Sequence, residues 1–400
     1  MDDIQVLVCD DSALMRNLIS RMVDSTEGMH VVGTAMNGKF CLQKIPSLHP
    51  DLIVLDIEMP EMNGIEFLKE RKTQGIDIPV IVLSSIATKG ASVTMQCLEL
   101  GASDFITKPS GSISSNISSV AGDLVERIAS YGGRYARRQG KEIAPLDFYM
   151  QQAKLKQAET AAVKEGIIDK VKPSATKPSM PAYTPTLFSS QKKKEPEVIT
   201  PLRNPGAIEI VAIGISTGGP NALREVFAHI DPKLSRPILV VQHMPAGFTK
   251  EFAASLGRIC PLAVKEAEDG DLIHPGQIYI APGDYHIVVE KSTLCNVIRL
   301  SKEEQRNGHR PSADVLFESV AKIYQNHALG VIMTGMGRDG AVQLAEMRKQ
   351  GAWTIGQDEK SSIVYGMPKV AFELGAVQRQ VPLEKMADEI NALVRDHANG

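Results

Sequence analysis

The sequence contains no long apolar segment and few cysteines. No uninterrupted apolar run in the chain approaches the roughly 18 residues of a membrane-spanning helix, and the acidic start lacks the apolar core of a signal peptide. The five cysteines are scattered without a CxxC pair, which is typical of reduced thiols and disfavours a cysteine metal site. We therefore expect a cytoplasmic protein with no segment inserted in a membrane.

The sequence also lacks an excess of positive charge. The formal net charge is −3 and neither terminal region is basic, so nothing indicates binding to nucleic acid or to an anionic membrane. At 400 residues, 43% of them hydrophobic, the chain is too long for one ordinary core. We therefore expect two or three globular domains.

Strand-like and helix-like segments alternate in two separate regions. In residues 1–125, five apolar strands alternating with helices predict a doubly wound parallel sheet, a (βα)5 domain. Residues 126–205 hold the end of a last helix and then a segment rich in proline and lysine, which predicts a flexible linker. Within it, residues 147–166 are also compatible with an amphipathic helix. In residues 206–400 we expect a second α/β domain, mainly parallel and doubly wound, with a β-hairpin at residues 286–301.

Polar side chains follow four of the five strands predicted in the first domain. Asp10 and Asp11 end the first strand, Asp56 the third, Ser84 the fourth and Lys108 the fifth. In an open parallel sheet these ends meet at one edge, where clustered carboxylates favour Mg²⁺. A single aspartate there is more often a helix cap, but this combination is hard to explain by capping alone. An ammonium group at Lys108 could also pair with an acylphosphate on Asp56.

This constellation resembles the receiver domain of two-component response regulators. The resemblance implies that Asp56 accepts a phosphoryl group from a histidine kinase. It also implies a set of Mg²⁺ ligands and a set of switch residues. The Mg²⁺ ligands are Asp10, Asp11, Asp56 and the backbone carbonyl of Glu58, and the switch residues are Ser84, Phe105 and Lys108.

In the second domain a glycine-rich turn presents Ser216. Gly214-Ile-Ser216-Thr-Gly218 fits the G-x-S-x-G turn of serine hydrolases, and the same letters nearly fit a dinucleotide-binding fingerprint. The next strand ends in His243 rather than in the acidic residue that a dinucleotide needs, so a hydrolase is favoured. If the two strands are neighbours, His243 can serve as the base for Ser216.

A carboxylate must orient that histidine, and Asp339 in "TGMGRDG" is the best candidate, although it could be an ordinary helix cap. The neighbouring glycines Gly335 and Gly337 would let backbone amides approach a ligand. Together with the amide of Thr217, they could form an oxyanion site.

Several segments of the second domain resemble the CheB family of chemotaxis protein-glutamate methylesterases: "GISTGGP", "QHMPAGFT", "YIAPGDYH", "HRPSADVLF", "TGMGRDG" and "GMPKVA". The resemblance implies Ser216 as nucleophile, His243 as general base, Asp339 as the orienting acid and Met336 as the source of an oxyanion amide. It implies hydrolysis of glutamate methyl esters on methyl-accepting chemoreceptors, deamidation of specific glutamines there, and no cofactor in the catalytic domain.

The combination of a receiver with an esterase implies control by phosphorylation. By resemblance, the unphosphorylated receiver blocks the catalytic face, and we expect a monomer. Three alternatives stay open. They are a transcriptional regulator with a small basic output domain, a nicotinamide-dependent oxidoreductase, and an adaptor with intact folds but no activity.

Overall fold

The chain forms two parallel β-sheets, each covered by helices on both faces, in a computed structural model. The structure describes residues 1–84, 88–108, 117–153, 196–292 and 295–398, with residues 88, 89 and 117–119 described by their backbone only.

The first sheet has five parallel strands in the order β2-β1-β3-β4-β5. Its central strand is buried along its whole length, as expected where helices cover both faces of a parallel sheet. The strands are β1 (Ile4–Cys9), β2 (Met29–Ala35), β3 (Leu52–Asp56), β4 (Val80–Ser84) and β5 (Asp104–Thr107). The predicted (βα)5 architecture is confirmed.

Five helices connect and follow these strands: α1 (Ala13–Asp24), α2 (Gly38–Leu48), α3 (Gly64–Thr73), α4 (Thr88–Glu99) and α5 (Ile117–Arg127). Their starts follow from local side chains. Ser12 accepts a hydrogen bond from the Met15 amide, and Asn63 forms a reciprocal capping box with Glu66.

Helix α5 continues through a π-helical turn (Ile128–Gly132) into α6 (Gly133–Arg138), and a further helix, α7, includes residues 146–153. Ile128, Tyr131 and Tyr149 are buried in the same apolar cluster as Ile4 of β1. The packed N-terminal region therefore extends beyond residue 125, where the sequence placed the end of the domain. The rest of the predicted linker, up to residue 195, lies outside the described residues.

The second sheet has seven parallel strands in the order β14-β13-β12-β6-β7-β9-β8. They are β6 (Ile210–Ile215), β7 (Ile238–Gln242), β8 (Ala263–Glu266), β9 (Gln277–Ile280), β12 (Ala328–Ile332), β13 (Trp353–Gln357) and β14 (Arg379–Val381). The short strands β8 and β14 were not expected. The predicted hairpin is present as β10 (His286–Lys291) and β11 (Asn296–Ser301), which form their own antiparallel pair.

Helices α8 (Gly219–Ala228), α9 (Thr249–Gly257), α10 (Ala313–Tyr324), α11 (Ala341–Gln350), α12 (Met367–Glu373) and α13 (Leu383–Asp396) surround this sheet. Among the described residues, none of these or the earlier helices combines the length and apolarity that crossing a bilayer requires.

Candidate functional sites

Three carboxylates meet at the C-terminal edge of the first sheet. Asp10, Asp11 and Asp56 each offer an oxygen atom within 4.8 Å of the others. Asp10 Oδ2 is buried 3.3 Å from Lys108 Nζ but makes no hydrogen bond to the residues that the structure describes. A cluster of oxygen ligands with an unsatisfied buried atom fits a hard divalent cation such as Mg²⁺. The exposed residue Glu58 follows two positions after Asp56.

Lys108 also pairs directly with the predicted phosphoryl acceptor. Its Nζ lies 2.7 Å from Asp56 Oδ1. Burial raises the pKa of Asp56, and Lys108 offsets part of that rise. Burial works against the charge of Lys108, but the two carboxylates Asp56 and Asp10 prevail and hold its pKa above the usual value. The pair thus places a cation beside the carboxylate at the strand edge, as the sequence predicted.

The two other switch positions are buried. The Ser84 hydroxyl shares a 2.5 Å hydrogen bond with that of Thr94. The Phe105 ring stacks on Phe248 of the second domain, with ring centroids 5.0 Å apart. Phe105 therefore touches the other domain directly.

Ser216 and His243 follow neighbouring strands of the second sheet. The last residues of β6 and β7, Ile215 and Gln242, are paired in register, so the two functional residues come next on adjacent strands. β12, whose following turn carries Asp339, pairs with the other side of β6. Strands β6 and β7 are therefore neighbours, as the prediction of His243 as the base for Ser216 requires.

His243 forms a hydrogen bond with Asp339. The two atoms, Nε2 and Oδ2, are 2.8 Å apart and both side chains are buried. The other ring nitrogen of His243, Nδ1, is buried and has no hydrogen-bond partner within the described part of the chain. Ser216 and His243 line the same cavity of about 50 Å³. Nδ1 is thus the nitrogen left to face a nucleophile.

Asp339 is held by donors from one other segment. Its Oδ1 accepts hydrogen bonds from the Ser312 hydroxyl at 2.6 Å and from Asn307 Nδ2 at 2.9 Å, and its Oδ2 accepts from the Ala313 amide at 2.6 Å. Burial alone would raise the pKa of Asp339, but the bonds from His243, Ser312 and Asn307 hold it well below the usual value. The carboxylate is therefore firmly ionised.

The alternative that Asp339 is the ordinary cap of the helix that follows it is wrong. Helix α11, which follows Asp339 in sequence, has no side-chain cap. Asp339 instead accepts from the first amides of α10, Ala313 and Asp314. The helix N-terminus stabilises the negative charge there.

Sequence reasoning assigned no role to the segment that holds this carboxylate. Asn307 and Ser312 bind Asp339, and the ring of His309 stacks on His243 with centroids 3.8 Å apart and an interplanar angle of 12°. The signal available was the polar run "NGHRPS" directly before an apolar helix. That run predicts the start of a helix, but it does not indicate which other loop of the fold the helix start contacts.

The glycine-rich turn after β12 is only partly available for an oxyanion. The Gly335 amide donates to the Val364 carbonyl at 3.0 Å and is therefore engaged. Met336 and Gly337 line a separate cleft of about 680 Å³. Gly335 has another role, because a Cβ atom there would lie 2.7 Å from the Ser216 Cβ.

Comparison with known proteins matches both halves. The response regulator receiver domain model matches residues 6–114, and the CheB methylesterase model matches residues 211–390. A Treponema denticola protein named protein-glutamate methylesterase/protein-glutamine glutaminase is 55% identical over 398 residues, covering 100% of both chains. The chain belongs to the CheB methylesterase family.

A second curated relative matches nearly the whole chain, and one solved structure matches the second domain. The Treponema pallidum protein of the same name is 50% identical, over 98% of this chain and 97% of that one. The crystal structure of the Thermotoga maritima CheB methylesterase catalytic domain is 38% identical and matches 47% of this chain and all of that one, with a TM-score of 0.46. The match of the CheB methylesterase model to residues 211–390 shows that the second domain is a CheB-type unit and not the small output domain of a transcriptional regulator.

The receiver domain of this CheB-family chain covers the Ser216 cavity. Asp104, Phe105 and Arg127 of the receiver line it together with Ser216 and His243. A further contact joins the Thr217 hydroxyl to Glu126 of α5 at 2.5 Å. Asn221 Nδ2 of α8 donates to the Ala102 and Ser103 carbonyls, each at 3.0 Å. Ser216 therefore lies at a domain interface.

Proposed function

We propose that this chain hydrolyses glutamate γ-methyl esters on the cytoplasmic helices of methyl-accepting chemoreceptors, and deamidates specific glutamines there. The observation that carries the proposal is the His243–Asp339 pair: His243 lines the same cavity as Ser216, and its Nδ1 has no hydrogen-bond partner among the described residues. The activity named for the full-length relatives supports the choice of substrate. We place the enzyme in the cytoplasm as a monomer, without a cofactor in the catalytic domain.

In this proposal Ser216 attacks the ester carbonyl while His243 Nδ1 takes the hydroxyl proton. The ester oxygen leaves as methanol with that proton, and water then releases the glutamate carboxylate and regenerates Ser216. A route without an acyl-enzyme would have water as the nucleophile: His243 takes a proton from water as it attacks the ester carbonyl, and the tetrahedral intermediate expels methanol with that proton. Ionised Asp339 stabilises the imidazolium that forms in either case. An amide substrate follows the same course and releases ammonia.

The negative charge that develops on the carbonyl oxygen needs donors. We assign this role to the backbone amides of Thr217 and Met336. Thr217 precedes α8 by two residues, where the helix N-terminus favours negative charge.

We further propose that phosphorylation of Asp56 by a histidine kinase activates the enzyme. Mg²⁺ held by Asp10, Asp11, Asp56 and the Glu58 carbonyl would neutralise charge during transfer of the phosphoryl group. A cavity of about 50 Å³ has no room for a side chain carried on a receptor helix. The receiver must therefore move, and Phe105, which touches Phe248, connects the phosphorylation site to the interface.

Methanol release from methylated receptor tests the proposal. Ser216→Ala should lower kcat by about 10³-fold or more in the presence of a small-molecule phosphodonor and Mg²⁺. Ser292→Ala, at an exposed turn of the hairpin, is the matched control and should leave kcat unchanged. Full activity of Ser216→Ala would rule out the serine mechanism.

A further inference from the structure

His309 covers one face of the proposed general base. Its ring lies nearly parallel to that of His243, with centroids 3.8 Å apart. His309 belongs to the loop between β11 and α10 that also supplies Asn307 and Ser312 to Asp339. One short segment thus contacts both the histidine and the acid.

From this geometry we infer that His309 is a positioning residue, which holds the His243 ring in the plane that joins Asp339 to Ser216. The inference rests on the proposed function and adds to it a residue that acts through His243 without touching substrate.

His243 needs such support because its hydrogen bonds fix only one end of the ring. Nε2 is held by Asp339, while Nδ1 has no partner among the described residues. A ring held at a single nitrogen can tilt about that bond, and small errors of placement cost much in proton transfer. A flat neighbour in contact with the ring face opposes the tilt and excludes water from that face.

The charge of His309 matters as much as its shape. Burial, and to a lesser extent the neighbouring His243, lowers the pKa of His309 to about 4, while Asp339 opposes the shift. His309 is therefore neutral near pH 7. A neutral ring tolerates the imidazolium that His243 becomes during the reaction, whereas a fixed cation would repel it.

Three substitutions in the full chain separate shape from charge: His309→Phe keeps a flat neutral ring, His309→Ala removes it, and His309→Arg adds a flat cation. Each is assayed for methanol release with phosphodonor and Mg²⁺ across pH 5 to 9. We expect His309→Ala to lower kcat by about 10- to 100-fold with KM within about twofold, because ring placement matters in the transition state. His309→Phe should recover most of that loss.

His309→Arg should give a lower plateau of kcat and move its acid limb to lower pH, because a cation beside His243 lowers the pKa of that base. A purely structural residue would change the melting temperature but not this limb. His274→Ala, at an exposed histidine, is the control.

A wild-type kcat for His309→Ala, or an unmoved acid limb for active His309→Arg, would overturn the inference. Equal losses for His309→Ala and His309→Phe, following their melting temperatures, would also overturn it. Failure of the proposed function is recognised separately, since Ser216→Ala would then keep its activity, and the role of His309 would fall with it.

Discussion

The Asp339 carboxylate joins the proposed base to the start of a helix. It is hydrogen-bonded to His243 and also accepts hydrogen bonds from the first amides of α10. Ser312 at the N-cap of that helix makes no capping bond of its own and donates to Asp339 instead. Asp339, which lies in the turn after β12, therefore also caps helix α10, which follows a different loop.

Asp339→Asn should damage both properties. The amide group would turn a donor toward groups that already donate, which costs about 1–3 kcal/mol of unfolding free energy for the unsatisfied bonds. Loss of the charge should lower kcat by about 10³- to 10⁴-fold. Denaturant unfolding and methanol release measure the two effects. Asp388→Asn, at an exposed position on α13, is the control, and unchanged stability of Asp339→Asn would contradict the capping role.

At the scale of elements, two turns in the second sheet pack against each other without space for a side chain. The turn after β12 brings Gly335 against the turn after β6, where the Ser216 amide donates to the Thr334 carbonyl at 2.9 Å. A Cβ atom at position 335 would lie 2.7 Å from the Ser216 Cβ and 2.5 Å from Met367 Sδ.

Gly335→Ala should therefore displace Ser216 and lower kcat more than it lowers stability. We expect a loss of at least about tenfold in kcat, because displacement of a reacting group by a fraction of an ångström is costly. Gly75→Ala is the control. Gly75 has φ +66° and no neighbour within 4 Å of an added Cβ, so it should lose about 1 kcal/mol of stability and no activity. Equal kcat for both variants would disprove close packing of the turns.

The sequence allowed prediction of those site residues that follow strands. Asp10, Asp56, Ser216 and His243 were predictable because parallel strands end at one edge and apolar strands are visible as runs. Asn307, His309 and Ser312 were not, because they lie in a loop that reaches the site through tertiary packing alone. Strand β14 was missed because it has only three residues, too few for a pattern.

The packing of residues 139–153 against the first domain was not predicted, for a related reason. Polar residues and Pro145 resemble a linker, yet Ile143 and Tyr149 are buried in the receiver core. Lys141 pairs with buried Asp51 at 2.7 Å. A few anchoring side chains among polar ones give no periodic signal, although they decide where the chain packs.

At the scale of the whole molecule, the receiver binds the catalytic domain through a mixed surface. Phe105 and Phe248 form its aromatic part. Glu99 of α4 forms its charged part, since it pairs with Arg258 at 2.5 Å and with Arg224 at 3.6 Å. We expect the strength of these contacts to set the equilibrium between molecules in which the receiver covers the Ser216 cavity and molecules in which it does not.

Glu99→Arg should raise the activity measured without phosphodonor. Three arginines would then face one another across the interface, and like charges disfavour association. We expect an increase of about fivefold, which corresponds to about 1 kcal/mol. The double variant Glu99→Arg/Arg258→Glu restores one opposite pair and should return part of the way. Unchanged activity of the single variant would contradict a covering role for this contact.

The interface should also respond to pH. Burial raises the pKa of Glu126, and Arg127 and the Thr217 hydroxyl oppose that rise only in part, while Asp123 and Asp104 add to it. The covered form therefore binds more protons than the open form, so covering is favoured at low pH and weakens as the pH rises through the raised pKa.

The ratio of activity without phosphodonor to activity with it should thus increase with pH. Dividing the two activities removes any pH dependence that both share. Glu126→Gln accepts the same hydrogen bond at every pH and should flatten the ratio. A ratio independent of pH in the wild-type chain would contradict the linkage.

The receiver is carried on the same polypeptide as the Ser216 cavity that it covers, and Arg134 of α6 binds the Ser362 and Lys360 carbonyls of the second domain at 2.7 and 2.9 Å. Closing is consequently a first-order event. Under the proposed regulation, the fraction of covered molecules does not depend on how many copies a cell makes, so abundance would scale total output, while the supply of phosphoryl groups and the pH would change the proportion of open molecules.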